Sequence, residues 1–411
     1  MSDTGVLQSA FAKAVETSFR NRSATNAQQS AAFDRFMRLG LPNRRVEGWK
    51  WSDLNAALRA ATPANDSAPM ENIAPSPFAA LEPLEIQIVD GRVLAPDAAR
   101  LDGVEFGVID PGGSDPDFDE HPVVALNIAL TRRAFAYRVK KGVVVDRPIL
   151  IRHINTRPGP VSSQVLGRTD AETRLTIIET FEGDTRFYSS MHHLGIHDRS
   201  KVRRYVLHCG DGDAVTHGFF GAMVGSDAHF DQTSLSTGGR LCRHETHLLY
   251  PAENANSSVS SAALVAGDLH SDFTTQVRFR SPGGVARQLH KGVASAKGRN
   301  VYQGKFHVER AAQKTDARMT ANALLLSDGA EANHKPELEI YADDVECAHG
   351  STVGALDNDA LFYLRQRGLT EAQARALLIE AFVGEVVDGV DHDGVRAVFA
   401  AQVGAWLEAQ R

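Results

Sequence analysis

Apolar residues recur at helical spacing along roughly the first sixty residues of this chain and then stop doing so. Leu7, Phe11, Ala14, Val15 and Phe19 fall on one helical face. Phe33, Phe36 and Met37 fall on a second, which ends at Gly40 ahead of Pro42. Glu47-Gly48-Trp49-Lys50-Trp51 follows, and its two indoles are expected to anchor the helices to the next unit, because such rings bury large areas. Five of the sixteen prolines then lie between Pro63 and Pro83, which reads as a linker or a long irregular crossing. Directly after it, Leu84–Val89 alternates, Asp90-Gly91 offers a turn, and Val93-Leu94 starts a return strand.

From about residue 143 to 345 helical periodicity is absent. Short strand-like runs take over, among them Arg174–Thr180, Val259–Val265, Phe273–Phe279 and Ala323–Leu326. Turn signals at Gly225, Gly238, Asn254, Gly267, Gly283, Gly298 and Gly329 divide this stretch into steps of about 13–16 residues, with one double-length step at the end. That last step suggests a turn without its glycine. Two steps give a period of about 30 residues, within the range of repeat architectures. Strands this short with no helices between them exclude a doubly wound sheet and leave a sandwich, a propeller or a β-solenoid.

Helical patterning then returns. Asp357–Gly368 carries Leu361, Phe362, Tyr363 and Leu364, and Gly368 is placed to stop that helix. Thr370-Glu371-Ala372-Gln373 is a capping box, followed by the stripe Ala374, Leu377, Leu378, Ala381 and Phe382. Val395, Val398, Phe399, Val403 and Trp406 mark a last helix. The expected plan is an N-terminal helical region over 1–61, a linker and irregular lead-in over 62–142, a β core over 143–350 and a C-terminal helical domain over 351–411.

Composition narrows the classes. A chain of 411 residues exceeds one ordinary core. With 43% hydrophobic residues and no apolar run near transmembrane length, a globular protein is expected. A formal charge of −7 argues against a general nucleic-acid binder. Three dispersed cysteines, Cys209, Cys242 and Cys347, do not make a disulfide framework. The first residues, Met-Ser-Asp-Thr-Gly, do not read as a secretion signal, so the cytoplasm is the expected compartment.

No Gly-x-x-x-x-Gly-Lys-Ser/Thr run and no Gly-x-Ser-x-Gly run occurs. His244-Glu245-Thr246-His247 lacks the spacing of a zinc protease, and in a strand Cys242 and His244 share a face that His247 does not. His192, His193, His197, His208, His217, His229 and His270 are scattered through the β region and read mostly as satisfied surface or core residues. Cys347 and His349, two apart, share one face of an extended segment, and thiolate with imidazole suits iron, zinc or copper(I). Two ligands cannot close a tetrahedral site. The pair is therefore either structural or half of a site completed by another chain or a ligand.

The run from Leu338 to Gly354, centred on Asp343-Asp344-Val345-Glu346-Cys347-Ala348-His349-Gly350-Ser351, with Leu361-Phe362-Tyr363-Leu364-Arg365-Gln366-Arg367-Gly368, resembles the C-terminal signature of the SufB/SufD family of iron–sulfur cluster assembly scaffolds. His290-Lys291-Gly292, Tyr302-Gln303-Gly304, Leu324-Leu325-Leu326-Ser327 and Leu126-Asn127-Ile128-Ala129-Leu130 before Pro148-Ile149 are similar to other family segments. The family often has Ser-His-Gly-Ala at Ala348–Ser351 and Ser-Arg-Gly at Gln366–Gly368; both departures spare Cys347 and His349. No cysteine precedes Cys209, whereas SufB is longer and carries an N-terminal cysteine cluster. Gly40–Trp51 also looks like the SufD side of the family.

The resemblance implies a mainly β protein with helical ends, its core a right-handed parallel β-helix. It implies a non-catalytic scaffold that pairs with SufB through the end of the β-helix and holds the ATPase SufC on its C-terminal helices, at Thr370–Val387. His349 matches the SufD histidine that faces SufB, so His349 first and Cys347 second are the expected metal ligands. No tightly bound cofactor is implied, only transient iron or a nascent cluster shared with SufB. The missing nucleotide loop agrees, since nucleotide chemistry would belong to SufC. The rivals are a β-helix carbohydrate lyase or hydrolase and a purely structural partner. An exposed β-helix end also makes a homodimer plausible.

Overall fold

The computed structural model describes residues 10–21, 25–60, 73–94, 101–112, 121–156, 159–183, 187–210 and 212–410. Leu7 and the first two prolines of the Pro63–Pro83 crossing lie outside them. The core is a parallel β-solenoid in which successive strands from β4 onward alternate between two sheets. The first sheet holds β1 (Leu84–Val89), β2 (Arg92–Leu94), β5 (Ile149–Asn155), β7 (Arg174–Gly183), β9 (Lys201–Gly210), β11 (His229–Ser236), β13 (Asn256–Val265), β15 (Val285–Ala294), β17 (Asp316–Leu325) and β19 (Glu346–Gly354). The second holds β3 (Val104–Ile109), β4 (Ala134–Val139), β6 (Pro160–Thr169), β8 (Phe187–Ile196), β10 (Val215–Val224), β12 (Leu241–Tyr250), β14 (His270–Phe279), β16 (Arg299–Val308) and β18 (Glu331–Ile340).

Register sets the period. Lys201 pairs with His229, Asn256 with Val285 and Val285 with Asp316, so a coil is close to 30 residues, as the turn spacing implies. All seven turn signals fall between strands. One corner of the stack is a ladder of left-handed residues: Glu172, Arg199, Asp227, Asn254, Gly283 and Lys314, with φ between 54° and 74°. Each donates its backbone N–H to the next coil, for instance Asn254 to Pro282 O at 3.0 Å and Gly283 to Gln313 O at 2.9 Å. Lys314 is the turn without its glycine. A Cβ at Gly283 would sit 2.3 Å from Asn254 Oδ1, a side-chain atom that can move, but the φ of +74° stays unfavourable for any L side chain. Gly283→Ala is expected to cost about 1–2 kcal/mol, and Lys314→Gly to be neutral or stabilising. Thermal melting of the two variants checks the opposite signs; equal losses would refute the strain argument.

The antiparallel hairpin β1–β2 forms at Asp90-Gly91, whose φ values of 47° and 75° are those of the two-residue turn such a pair favours. β1 also pairs in parallel with β5, which ties the hairpin to the stack. Among the described residues four α-helices precede the main stack or interrupt its start: α1 (Ala10–Arg20), α2 (Ala27–Leu39), α3 (Leu54–Ala60) and α4 (Pro122–Leu130). Asn26 and Gln29 form a capping box on α2. The pattern of the sequence did not reveal α4, because apart from Asn127 it is apolar on all sides and is buried from Val123 to Leu130, and so has no period to read. With α1 and α2 it covers the outer face of the second sheet at Phe187, Met191, Val215, Phe219 and Leu241. Trp49 anchors this layer, buried with its ring 4.0 Å from the Arg243 guanidinium.

Three helices close the chain: α5 (Asn358–Gln366), α6 (Glu371–Val387) and α7 (Asp393–Ala409). The capping box at Thr370 and Gln373 forms as the sequence indicates. Ile379, Val383, Phe399 and Val403 pack on the outer face of the first sheet at Leu207, Leu235, Leu264 and Val293. Among the described residues no helix is long and apolar enough to cross a membrane.

Candidate functional site

The solenoid interior is apolar along one side and polar along the other. Inward columns follow from register. Leu175, Val202, Phe230, Ser257, Ala286, Ala317 and Cys347 form one. Ile177, Arg204, Gln232, Val259, Gln288, Met319 and His349 form the next. Cys347 thus continues a mostly apolar column, and His349 one that already carries polar groups.

The polar side carries separate hydrogen-bonded groups along its length. Near its start Glu179 pairs with Arg204 and with His192, all buried. Burial opposes ionisation of Glu179, but Arg204 and His192 outweigh it and hold the carboxyl well below the usual range. Arg204 donates to Gln232 Oε1 at 2.7 Å and contacts His244 Nε2 at 3.2 Å. Further along, the His290 ring meets Ser261 Oγ at 2.8 Å and Asn300 Oδ1 at 3.1 Å. His334 meets Asn300 Oδ1 at 3.4 Å and Ser351 Oγ at 2.9 Å. Burial drives His290 down to about 3 and His334 to about 4, so both are neutral near pH 7. The group around His290 and His334 therefore reaches β19 beside His349.

There the stack stops. Among the described residues β18 pairs only with β16 and β19 only with β17, so each presents a backbone edge that none of them covers. Glu346 N donates to Thr315 O. Strand alternation then directs the N–H groups of residues 348, 350 and 352 to β17 and those of 347, 349, 351 and 353 to the open edge. His349 is exposed and Cys347 half-buried, with its side chain against the interior core. Burial raises the Cys347 thiol above its ordinary value, against a lowering from the Ala317 backbone.

The pair expected from the sequence thus shares one face of one edge strand. Among the described residues no third histidine, cysteine or acid joins it within ligand distance; the one such cluster lies elsewhere in the fold. Cys242 and His244 do share a face, the interior one, and His247 points out. Cys242 is buried, its thiol pushed up to about 12 by burial, and His244 is tied to His208 at 3.1 Å. What the residues alone did not reveal are these polar groups, whose bonded members stand between 10 and 40 positions apart and on both sheets. The exposed apolar residues on the C-terminal helices include Phe362, 66% exposed, with Tyr363 and Leu377.

The profile of the SUF system FeS cluster assembly SufBD core domain matches residues 153–382. The chain is 29% identical to the iron–sulfur cluster assembly protein SufD of Escherichia coli, over 94% of this chain and 93% of that protein. It is 24% identical to the SufD of Bacillus subtilis, over 68% and 65%. It is 28% identical to the chloroplastic protein ABCI7 of Arabidopsis thaliana, over 63% and 57%.

Proposed function

Because this chain belongs to the SufBD core family of iron–sulfur cluster assembly proteins, we propose that it is a non-catalytic, cytoplasmic scaffold whose open solenoid end completes a metal site only with a partner. The partner is a SufB-type subunit docked against β18 and β19. His349 is the principal interface ligand for iron or a nascent cluster, which is cargo and not a resident cofactor, and Cys347 is a secondary one. α5 and α6 hold a SufC-type ATPase, which supplies the nucleotide chemistry.

One observation carries this reading: an exposed imidazole on an edge strand, with a thiol on the same face and too few further ligands among the described residues. Three considerations join it. A free edge is a template for another chain. A two-ligand site gains its remaining donors from whatever docks there. The apolar residues Phe362, Tyr363 and Leu377 stand exposed on α5 and α6, the helices assigned to the ATPase.

His349→Ala in the co-expressed complex is expected to lower bound iron and sulfide about tenfold while subunit stoichiometry stays unchanged. Metal and sulfide analysis of the purified complex, with its mass measured in parallel, reads both. Unchanged iron in an intact complex would instead make the chain a purely structural partner.

A further inference from the structure

A second cluster, on the outer face of the second sheet, takes no part in the open end. His121 at the start of α4, His217 on β10 and Glu245 on β12 each bring a ligand-type atom within 4.8 Å of the others. Nε2 of His121 and Nε2 of His217 lie 3.1 and 2.9 Å from the same carboxylate oxygen, Glu245 Oε1. Nε2 of His247 lies 3.3 Å from the other oxygen. Glu245 and His217 are buried, and Nδ1 of His217 has no hydrogen-bond partner, so Nε2 is the ring's only polar anchor. A groove of about 460 Å³ opens onto His121, Glu245 and His247.

We propose that His121, His217 and Glu245 bind a divalent first-row metal ion, zinc(II) or iron(II), with His247 orienting the carboxylate. Two imidazoles and one carboxylate, with positions left open toward a groove, form a donor set that such ions take. Around an ion bound at about 2.0–2.2 Å, ligand atoms stand roughly 3.3 Å apart. The contacts at 2.9 and 3.1 Å need widen only slightly.

Arg243 is the competitor, since its Nε donates to Glu245 Oε1 at 2.9 Å. It also has other holds: NH1 pairs with Asp272, and Trp49 stacks on its guanidinium. Glu245 and Asp272 against Arg243 leave one net negative charge for the cation. His121 makes the other adjustment. Its Nδ1 accepts from Val124 N at 3.3 Å, so metal on Nε2 requires the proton on Nδ1 and gives up that long capping bond.

The test uses the full chain stripped with a chelator. Zinc(II) is titrated against a competing indicator, and iron(II) is added without oxygen and the retained metal counted. Wild type and the double variant Cys347→Ser/His349→Ala, which lacks the open-end pair, are both expected to hold one equivalent. His121→Asn keeps a good helix cap but cannot reach Glu245, and is expected to bind at least about tenfold more weakly. X-ray absorption of the zinc form is expected to show nitrogen and oxygen ligands alone. No equivalent bound by wild type, undiminished affinity in His121→Asn, or sulfur in the metal's first shell would each overturn the proposal. None of these results bears on the interface role of His349, which is read in the assembled complex.

Discussion

Acidification from pH 7.5 to 5.5 is expected to strip several kcal/mol from this fold. Burial pushes His153, His270 and His334 down to about 4, and His208 and His290 down to about 3. In the unfolded chain each titrates near 6.5. Below that value the unfolded state takes up protons that the folded state refuses. The stabilising contribution is therefore complete above about pH 6.5 and is lost as pH falls toward the folded values. Each such histidine contributes a slope of about 1.4 kcal/mol per pH unit. If only two of the five behave fully, the slope is about 3 kcal/mol per unit, large against a typical stability of about 5–15 kcal/mol. Glu179 adds to the loss at lower pH, because its carboxyl must also be protonated there. Urea midpoints at pH 7.5, 6.5 and 5.5, followed by circular dichroism, read the effect. A midpoint that does not fall between pH 7.5 and 5.5 would show that the interior histidines are already charged or hydrated in the folded protein.

Val353→Pro is expected to abolish assembly through the solenoid end and leave the solenoid itself folded. The backbone N–H of Val353 points to the open edge of β19, away from β17, so its loss costs the β17–β19 ladder no hydrogen bond. Its side chain is 48% exposed, so little packing is lost. A docking strand would lose a donor and meet the proline ring instead. Thr352→Pro is the contrast, since position 352 directs its N–H to β17; it is expected to fray β19 itself. Light scattering of the co-expressed complex gives the assembly state, and melting of the isolated chain gives the fold. Full assembly by a well-folded Val353→Pro protein would mean that partners meet the end by side-chain packing and not by strand pairing. The same experiment on the isolated chain tests for a homodimer.

Both expectations rest on features of unequal visibility in the sequence. The turn rhythm was legible because every coil must reverse twice, and a left-handed corner favours Gly, Asn or Asp. Lys314 shows the limit of that rule: the stacked corner imposes its conformation on a residue that does not prefer it. The shared face of Cys347 and His349 was legible because strand alternation is local. The exposure of His349 was not, since it depends on the stack ending at β19.

The sequence by itself determined the order of helical and β regions, the coil length, the hairpin at Asp90-Gly91 and the cap at Thr370, because each depends on residues close along the chain. Family membership was likewise carried by the run around His349. Only the tertiary structure decided that α4 is a helix, that polar side chains line one side of the interior, and that His121, His217 and Glu245 converge. Those arrangements join residues as much as 124 positions apart. Coil length varies by a few residues from turn to turn, and one residue of slip would send each side chain to the opposite face.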